Sequence, residues 1–185
     1  MMVQAPTLRA VAGIRHAFFG RSGGVSEEPF ASLNMGLRSG DEPDRVHENR
    51  ARAATLLGAT ADRLVTARQV HGTACLTVEA PWDAARPPVA DALVTARPGL
   101  LIGVLTADCA PVLLADPTAG VVGAAHAGWR GALAGVIEAT LAGMAVLGAR
   151  PERIDAAIGP CIGQASYEVG HDYRARFEAE DPQAW

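Results

Sequence analysis

The sequence predicts one mixed α/β domain whose strands outnumber its helices in the middle of the chain. Three observations carry that prediction. Short apolar runs, among them Leu64 to Val70, Cys75 to Val78, Leu100 to Thr106, Val112 to Ala115 and Gly120 to Ala125, are punctuated by turn residues. Two longer stretches, Pro43 to Gly58 and Gly131 to Leu147, carry helical spacing instead. No repeat, low-complexity tract or linker divides the 185 residues, a length that buries a sizeable core without staples.

Taken in order, Gly13 to Phe19 reads as a strand entering the loop Gly20-Arg21-Ser22-Gly23-Gly24-Val25-Ser26. Its paired glycines permit positive φ and close approach to a ligand, or serve an ordinary turn. Ser32-Leu33-Asn34-Met35-Gly36 continues the irregular stretch. The first helix has Pro43 at its start and acidic residues in its first turn. Val46, Ala53, Ala54 and Leu57 share its apolar face, Arg45, Glu48, Arg50 and Arg52 fall mostly elsewhere, and Gly58 can close it.

Beyond it, Leu64 to Val70 begins a β region ending at His71-Gly72, and Ala90 to Thr95 is a further strand. The continuous apolar run from Leu100 is what a strand covered on both faces requires. Asp116-Pro117-Thr118 supplies a turn. The second helix presents Leu133, Val136, Ile137, Leu141 and Met144. Ile154 to Ile158 is a strand, Tyr167 to Gly170 extended and Asp172 to Glu178 helical.

A hydrophobic content of 49% with 19% charged residues places the chain among soluble globular proteins. A formal charge of -4 and a pI near 5.7 argue against a general nucleic-acid or anionic-membrane binder, while leaving room for a local basic pocket. The N-terminus has no signal-peptide pattern, the apolar runs are too short to span a bilayer, and three cysteines without a CxxC pair imply no disulfide framework. A reducing cytoplasm is the expected compartment.

The residues able to do chemistry cluster between Thr106 and Gly131. Thr106-Ala107-Asp108-Cys109 and His126-Ala127-Gly128-Trp129-Arg130-Gly131 each follow an apolar run, and His71 lies upstream at a third strand end. Two imidazoles and a thiolate suit zinc, and three protein ligands leave a fourth position open. Two other readings stand beside this one. In the first, both histidines are satisfied polar residues and Cys109 a small buried hydrophobe. In the second, Cys109 is a nucleophile with His126 as its base and no metal. Asp108 either orients a ligand or binds a hydroxyl, or is a turn aspartate. Arg130, at the mouth of a helix, favours an anion or makes a structural ion pair. Cys161 lies in a Gly/Pro turn that could approach the site, whereas Cys75 belongs to strand packing.

The chain resembles the YfiH/FAMIN family, the laccase-domain or polyphenol oxidase proteins now described as purine nucleoside phosphorylases. The resemblance rests on Arg21 to Ser26, Ser32-Leu33-Asn34, Glu48-Asn49-Arg50, Gln69 to Gly72, Ala90 to Leu93, Thr106 to Cys109, His126 to Gly131 and Ile158 to Ile162. It implies an αβ sandwich with mixed sheets, similar to the cytotoxic necrotising factor fold, with His71, Cys109 and His126 as ligands of Zn²⁺. The same three residues and Arg130 are implied catalytic residues. Arg21, Ser22, Asn34 and Asp108 are expected to contact substrate, Arg21 and Arg130 through phosphate charge. The implied partners are a purine nucleoside and phosphate, with adenosine deamination as a side activity.

Copper is less expected than zinc, because multicopper oxidases need more histidines than the 5 present. A cell-wall precursor editing hydrolase and a non-catalytic metal- or partner-binding module are the alternative functions. Residues 1–185 are expected to form one domain of this type. The family pattern continues with a helix, a strand and a Ser-x-Arg-like segment beyond Pro182-Gln183-Ala184-Trp185.

Overall fold

A computed structural model of the chain describes residues 2–180, so the terminal Pro182 to Trp185 lie outside the described residues. Its centre is a five-stranded mixed sheet in the order β4 (Cys75–Thr77), β5 (Ala92–Thr95), β8 (Val121–Ala127), β7 (Ala110–Asp116), β9 (Asp155–Ile158). β4 and β5 run parallel, and the other pairs are antiparallel. Two-stranded sheets form from β1 (Met2–Val3) with β2 (Phe18–Phe19), and from β3 (Leu64–Val65) with β6 (Leu101–Ile102). The helices are α1 (Pro6–Arg9), α2 (Pro43–Leu56), α3 (Trp129–Ala134), α4 (Val136–Val146) and α5 (Asp172–Glu180). No helix among the described residues is long and apolar enough to cross a membrane.

Alternation along β7 explains the layering, since successive side chains of a strand leave on opposite faces. Val112 and Leu114 join Val121, Ala125, Val136 and Met144 in a core under α4. Leu113 and Ala115 turn the other way, onto Leu8 of α1 and Phe18 of β2. A third cluster of Val65, Val78, Ala90 and Leu93, with Ile102 packed against it, seats the small β3–β6 sheet. The molecule is therefore a mixed α/β sandwich, as its sequence predicts.

Several elements are shorter than their apolar runs suggest. Within Gly13 to Phe19 only Phe18–Phe19 pairs as strand, and within Leu64 to Val70 only Leu64–Val65. Leu100 to Thr106 is not a fully buried central strand. Only Leu101–Ile102 is paired, in the small sheet, and both residues are half-buried. The predicted helix from Gly131 to Leu147 is two helices. Gly135 adopts φ 97°, a left-handed conformation that ends α3 and begins α4.

Helix α2 buries Val46, Asn49, Arg50, Ala53 and Ala54 at the spacing of one face. Arg50 thus departs from the exposed position its charge suggested. Burial lowers its pKa, and its guanidinium donates to the carbonyls of Met35 and Leu64 and to Thr66 Oγ1. Asn49 accepts from the Val25 N–H and donates to Ser26 Oγ, Ser32 O and Asn34 O. These two side chains hold the 20–36 loop onto the helix. Replacing Asn49 by Ala strands buried partners and is expected to cost about 2–4 kcal/mol in urea unfolding.

Asp116 closes β7 in a comparable way. Burial alone would raise its pKa, but the Arg150 N–H, the Arg153 guanidinium and the Ala119 N–H outweigh that and hold it at about 2. A folded pKa of about 2 against an ordinary 3.8 gives stability that is fully present above pH 3.8 and lost as pH falls toward 2. Melting temperatures measured across that window should fall less steeply for Asp116→Asn than for the native chain. The variant should start from a lower value at neutral pH.

Candidate metal centre

Asp91 lies one residue before β5, and the β5–β8 register that pairs Ala92 with Ala125 sets Asp91 opposite His126. Its buried carboxylate takes His126 Nδ1 on Oδ1 at 2.8 Å. It also accepts three successive backbone N–H groups, from Val70 at 3.1 Å, His71 at 2.9 Å and Gly72 at 2.8 Å. Burial works against this charge, but the His126 bond and the three N–H groups prevail and lower the Asp91 pKa. An ionised carboxylate on Nδ1 fixes the imidazole tautomer and leaves Nε2 with its lone pair.

His71 pays a conformational cost to reach this position: its φ is 62°, the left-handed region that a side chain rarely adopts. That backbone curls three N–H groups around one carboxylate. It also brings the His71 ring to 4.8 Å from the His126 ring, edge to face. Cys109 approaches from the start of β7, with Sγ 3.8 Å from His71 Nε2. One ligand atom from each of His71, Cys109 and His126 lies within 4.8 Å of the others.

The strand-end picture needs correction here. Cys109 precedes β7 rather than ending a strand, His71 sits in the loop between β3 and β4, and only His126 is within a strand, β8. Glycine makes the convergence possible. A Cβ on Gly128 would stand 2.7 Å from His71 Cδ2 and 3.1 Å from Cys109 Sγ, and one on Gly131 would stand 2.8 Å from the Gly72 carbonyl oxygen. Gln69 fastens the two remaining chains, donating from Nε2 to Leu105 O at 2.7 Å and accepting the Leu105 N–H at 2.8 Å.

This donor set fits a metal. Two imidazoles and a thiolate gathered this closely can share one ion through bonds of about 2.0–2.3 Å once their side chains close in on it, since two such bonds span less than 4.8 Å. In the metal-free protein, burial and then the negative charges of Asp108 and Asp91 push the Cys109 thiol up. That is the reverse of what a metal-free nucleophile needs.

The other expected site residues are arranged differently. Asp108 adjoins Cys109, and its carbonyl accepts the Ile162 N–H, which ties the Cys161 turn beside it. Exposed Cys161 is not part of the three-residue ligand group. Arg130 lies in α3 with its guanidinium 4.9 Å from the Trp129 ring centre. Arg21 and Ser22 belong to the 20–36 loop, where Arg21 Nε donates to Ala31 O. The Asn34 amide is engaged with Ser39, Asp41 and Gly36.

Sequence reasoning missed Asp91, Gln69 and Gly128 as parts of the site. A carboxylate inside the apolar run Ala90 to Thr95 was the signal for the first, because a buried charge requires partners.

Fold and site together define a mixed α/β domain carrying a His–Cys–His group able to hold a metal ion. The chain belongs to the family described as multi-copper polyphenol oxidoreductase laccase, whose pattern matches residues 15–185. It is 49% identical over 186 residues to a protein of Deinococcus radiodurans named purine nucleoside phosphorylase, covering all of this chain and 69% of that one. It is 48% identical to "Purine nucleoside phosphorylase ORF3" of Streptomyces griseus, covering all of this chain and 76% of the relative. Among solved structures, YlmD from Geobacillus stearothermophilus superposes with a TM-score of 0.84 at 36% identity, over 93% of this chain and 66% of that one.

Two substitutions probe the centre. Asp91→Asn puts an amide where four donors converge and should weaken metal affinity roughly 10–100-fold, read by competition with a chromogenic chelator. Gly128→Ala should displace His71 or Cys109 and lower bound metal by elemental analysis. A Gly128→Ala protein with full metal content would contradict the close packing at that residue.

Proposed function

We propose that the chain is a zinc-dependent purine nucleoside phosphorylase. The observation that carries the reading is the convergence of His71, Cys109 and His126 in a chain nearly half identical to proteins named for that activity. Zinc is the favoured metal because a thiolate with two imidazoles suits it. Copper in several centres would need more imidazoles than the two gathered here. The proposed substrates are adenosine, inosine, guanosine and methylthioadenosine, with adenosine deamination as a side activity.

In the reaction, a phosphate oxygen forms a bond to the anomeric carbon while the bond to the purine nitrogen breaks. The electron pair leaves with the base, which takes up a proton, and a sugar 1-phosphate remains. Bound zinc would supply Lewis acidity at the position its three protein ligands leave open. Asp91 holds the His126 ring and the His71 backbone in place. In this reading Asp108, beside Cys109, accepts a substrate hydroxyl, and Arg130 supplies positive charge. Ser22 and Asn34 serve substrate binding through the loop they build, and Arg21 adds a second cation on it.

Purified, zinc-loaded protein given inosine and phosphate should yield hypoxanthine and ribose 1-phosphate, with no base released when phosphate is omitted. Cys109→Ser should lose both zinc and turnover. Full turnover in a metal-free Cys109→Ser protein would overturn the ligand assignment, and no turnover of any of the four nucleosides by the zinc-loaded chain would overturn the activity.

A further inference from the structure

A second concavity adjoins the loops that lead to the metal ligands. It is a cleft of about 270 Å³ whose largely apolar wall carries Arg38, Ser39, Thr66, Arg68, Gln69 and Leu105. Gln69 lies two residues before His71 and Leu105 four before Cys109, and the Gln69–Leu105 bonds tie these chains together at the cleft wall. The cleft therefore shares a wall with the loops that carry two metal ligands.

Its charged side chains are all of one sign. Arg38 and Arg68 are exposed cations, and neither is in an ion pair among the described residues. Arg38 makes only a 3.4 Å bond to the Ala85 carbonyl. Thr66 Oγ1 accepts from the buried Arg50 guanidinium at 3.4 Å, which leaves its own proton to donate elsewhere. Ser39 Oγ accepts from Asn34 Nδ2 at 2.7 Å and from the Asp41 N–H at 3.4 Å, so its proton is free in the same way.

Both polar ends of the Gln69 amide are consumed by Leu105. No carboxylate lines the cleft. Asp41, two residues beyond Ser39, has its oxygens engaged by Ser26, Asn34 and the Glu42 N–H. Set in a largely apolar wall, two exposed guanidinia and two donor hydroxyls, backed by the buried Arg50 guanidinium, are complementary to an oxyanion. The volume also suits a small ligand, being below the roughly 300–1,000 Å³ of sites for drug-sized molecules.

We propose that this cleft is a phosphate subsite, in which Arg38 and Arg68, with the hydroxyls of Ser39 and Thr66, hold inorganic phosphate or the phosphate group of a sugar 1-phosphate. The identity of the anion as co-substrate rests on the phosphorylase reading; the anion site itself does not. Arg21 and Arg130 are then not the main phosphate ligands. Arg21 is anchored on its own loop and Arg130 is stacked on Trp129.

Equilibrium dialysis of the zinc-loaded protein against radiolabelled inorganic phosphate tests the site without turnover. Replacing Arg38 and Arg68 together by Ala should weaken phosphate binding by at least about tenfold, the effect of losing charge-assisted bonds. KM for phosphate should rise by a similar factor while that for inosine stays near its native value. Single Arg38→Gln and Arg68→Gln changes, at two exposed positions, should each shift binding less and in the same direction, which guards against a misfolded double variant. Unchanged phosphate binding in folded, metal-replete variants would overturn the subsite. Arginine-dependent phosphate binding in a protein that leaves inosine intact would keep the subsite and overturn the phosphorylase reading. Phosphorolysis with a phosphate KM indifferent to both arginines would do the opposite.

Discussion

The site depends on one buried carboxylate. Asp91 accepts from His126 and from the N–H groups of Val70, His71 and Gly72, so it binds a strand residue and a loop into one unit. A buried charge is tolerated only when donors replace its lost hydration, and here the donors are the parts that must be positioned. The cost of burying the carboxylate is thus offset by ordering the site. The same interaction selects the imidazole nitrogen that faces outward and compensates the left-handed backbone at His71.

Space is the second constraint, and it acts through absence. Gly128 and Gly131 leave room for an imidazole and a carbonyl oxygen where a Cβ would stand closer than real Cβ atoms come, and for a sulfur only slightly farther off. Three segments distant in sequence can then meet at hydrogen-bond and ring-contact distances. The β7–β8 hairpin supplies the rigid base, since its register runs unbroken from Ala110 with Ala127 to Asp116 with Val121. Cys109 and His126 sit at its open end, where strand pairing fixes their separation.

These two features mark how far the sequence could be read. β7, β8 and β9 were legible because each apolar run coincides with a paired strand, and α2 because Pro43, its acidic first turn and Gly58 bracket one apolar face. The ligand trio was legible as residue types, but its assembly was not. Nothing local in Gln69-Val70-His71-Gly72 foretells a positive φ at a histidine, or a carboxylate twenty residues on receiving its backbone. Leu100 to Thr106 misled for the converse reason. An apolar run reports burial, and here Leu100 and Ile102 are half-buried against the Val65–Leu93 cluster while only Leu101–Ile102 pairs as strand, outside the central sheet. Arg50 misled likewise, because carbonyl and hydroxyl acceptors let a cation replace an apolar side chain on the inner face of α2.

Charge completes the account. With a formal charge of -4, the chain as a whole repels anions, and at the centre burial, with the charges of Asp108 and Asp91 added to it, raises the Cys109 thiol. That environment suits a divalent cation, which relieves the repulsion and takes the thiolate as a ligand. It does not suit a free phosphate. An anionic reactant needs its own cradle of donors, close to the cation but on a different wall. The arginines and donor hydroxyls around Arg38 and Arg68 occupy such a wall, joined to the ligand loops by the Gln69 amide. Separating the metal ligands and their neighbouring acids from the arginines lets one small domain hold opposite charges on different walls without either neutralising the other.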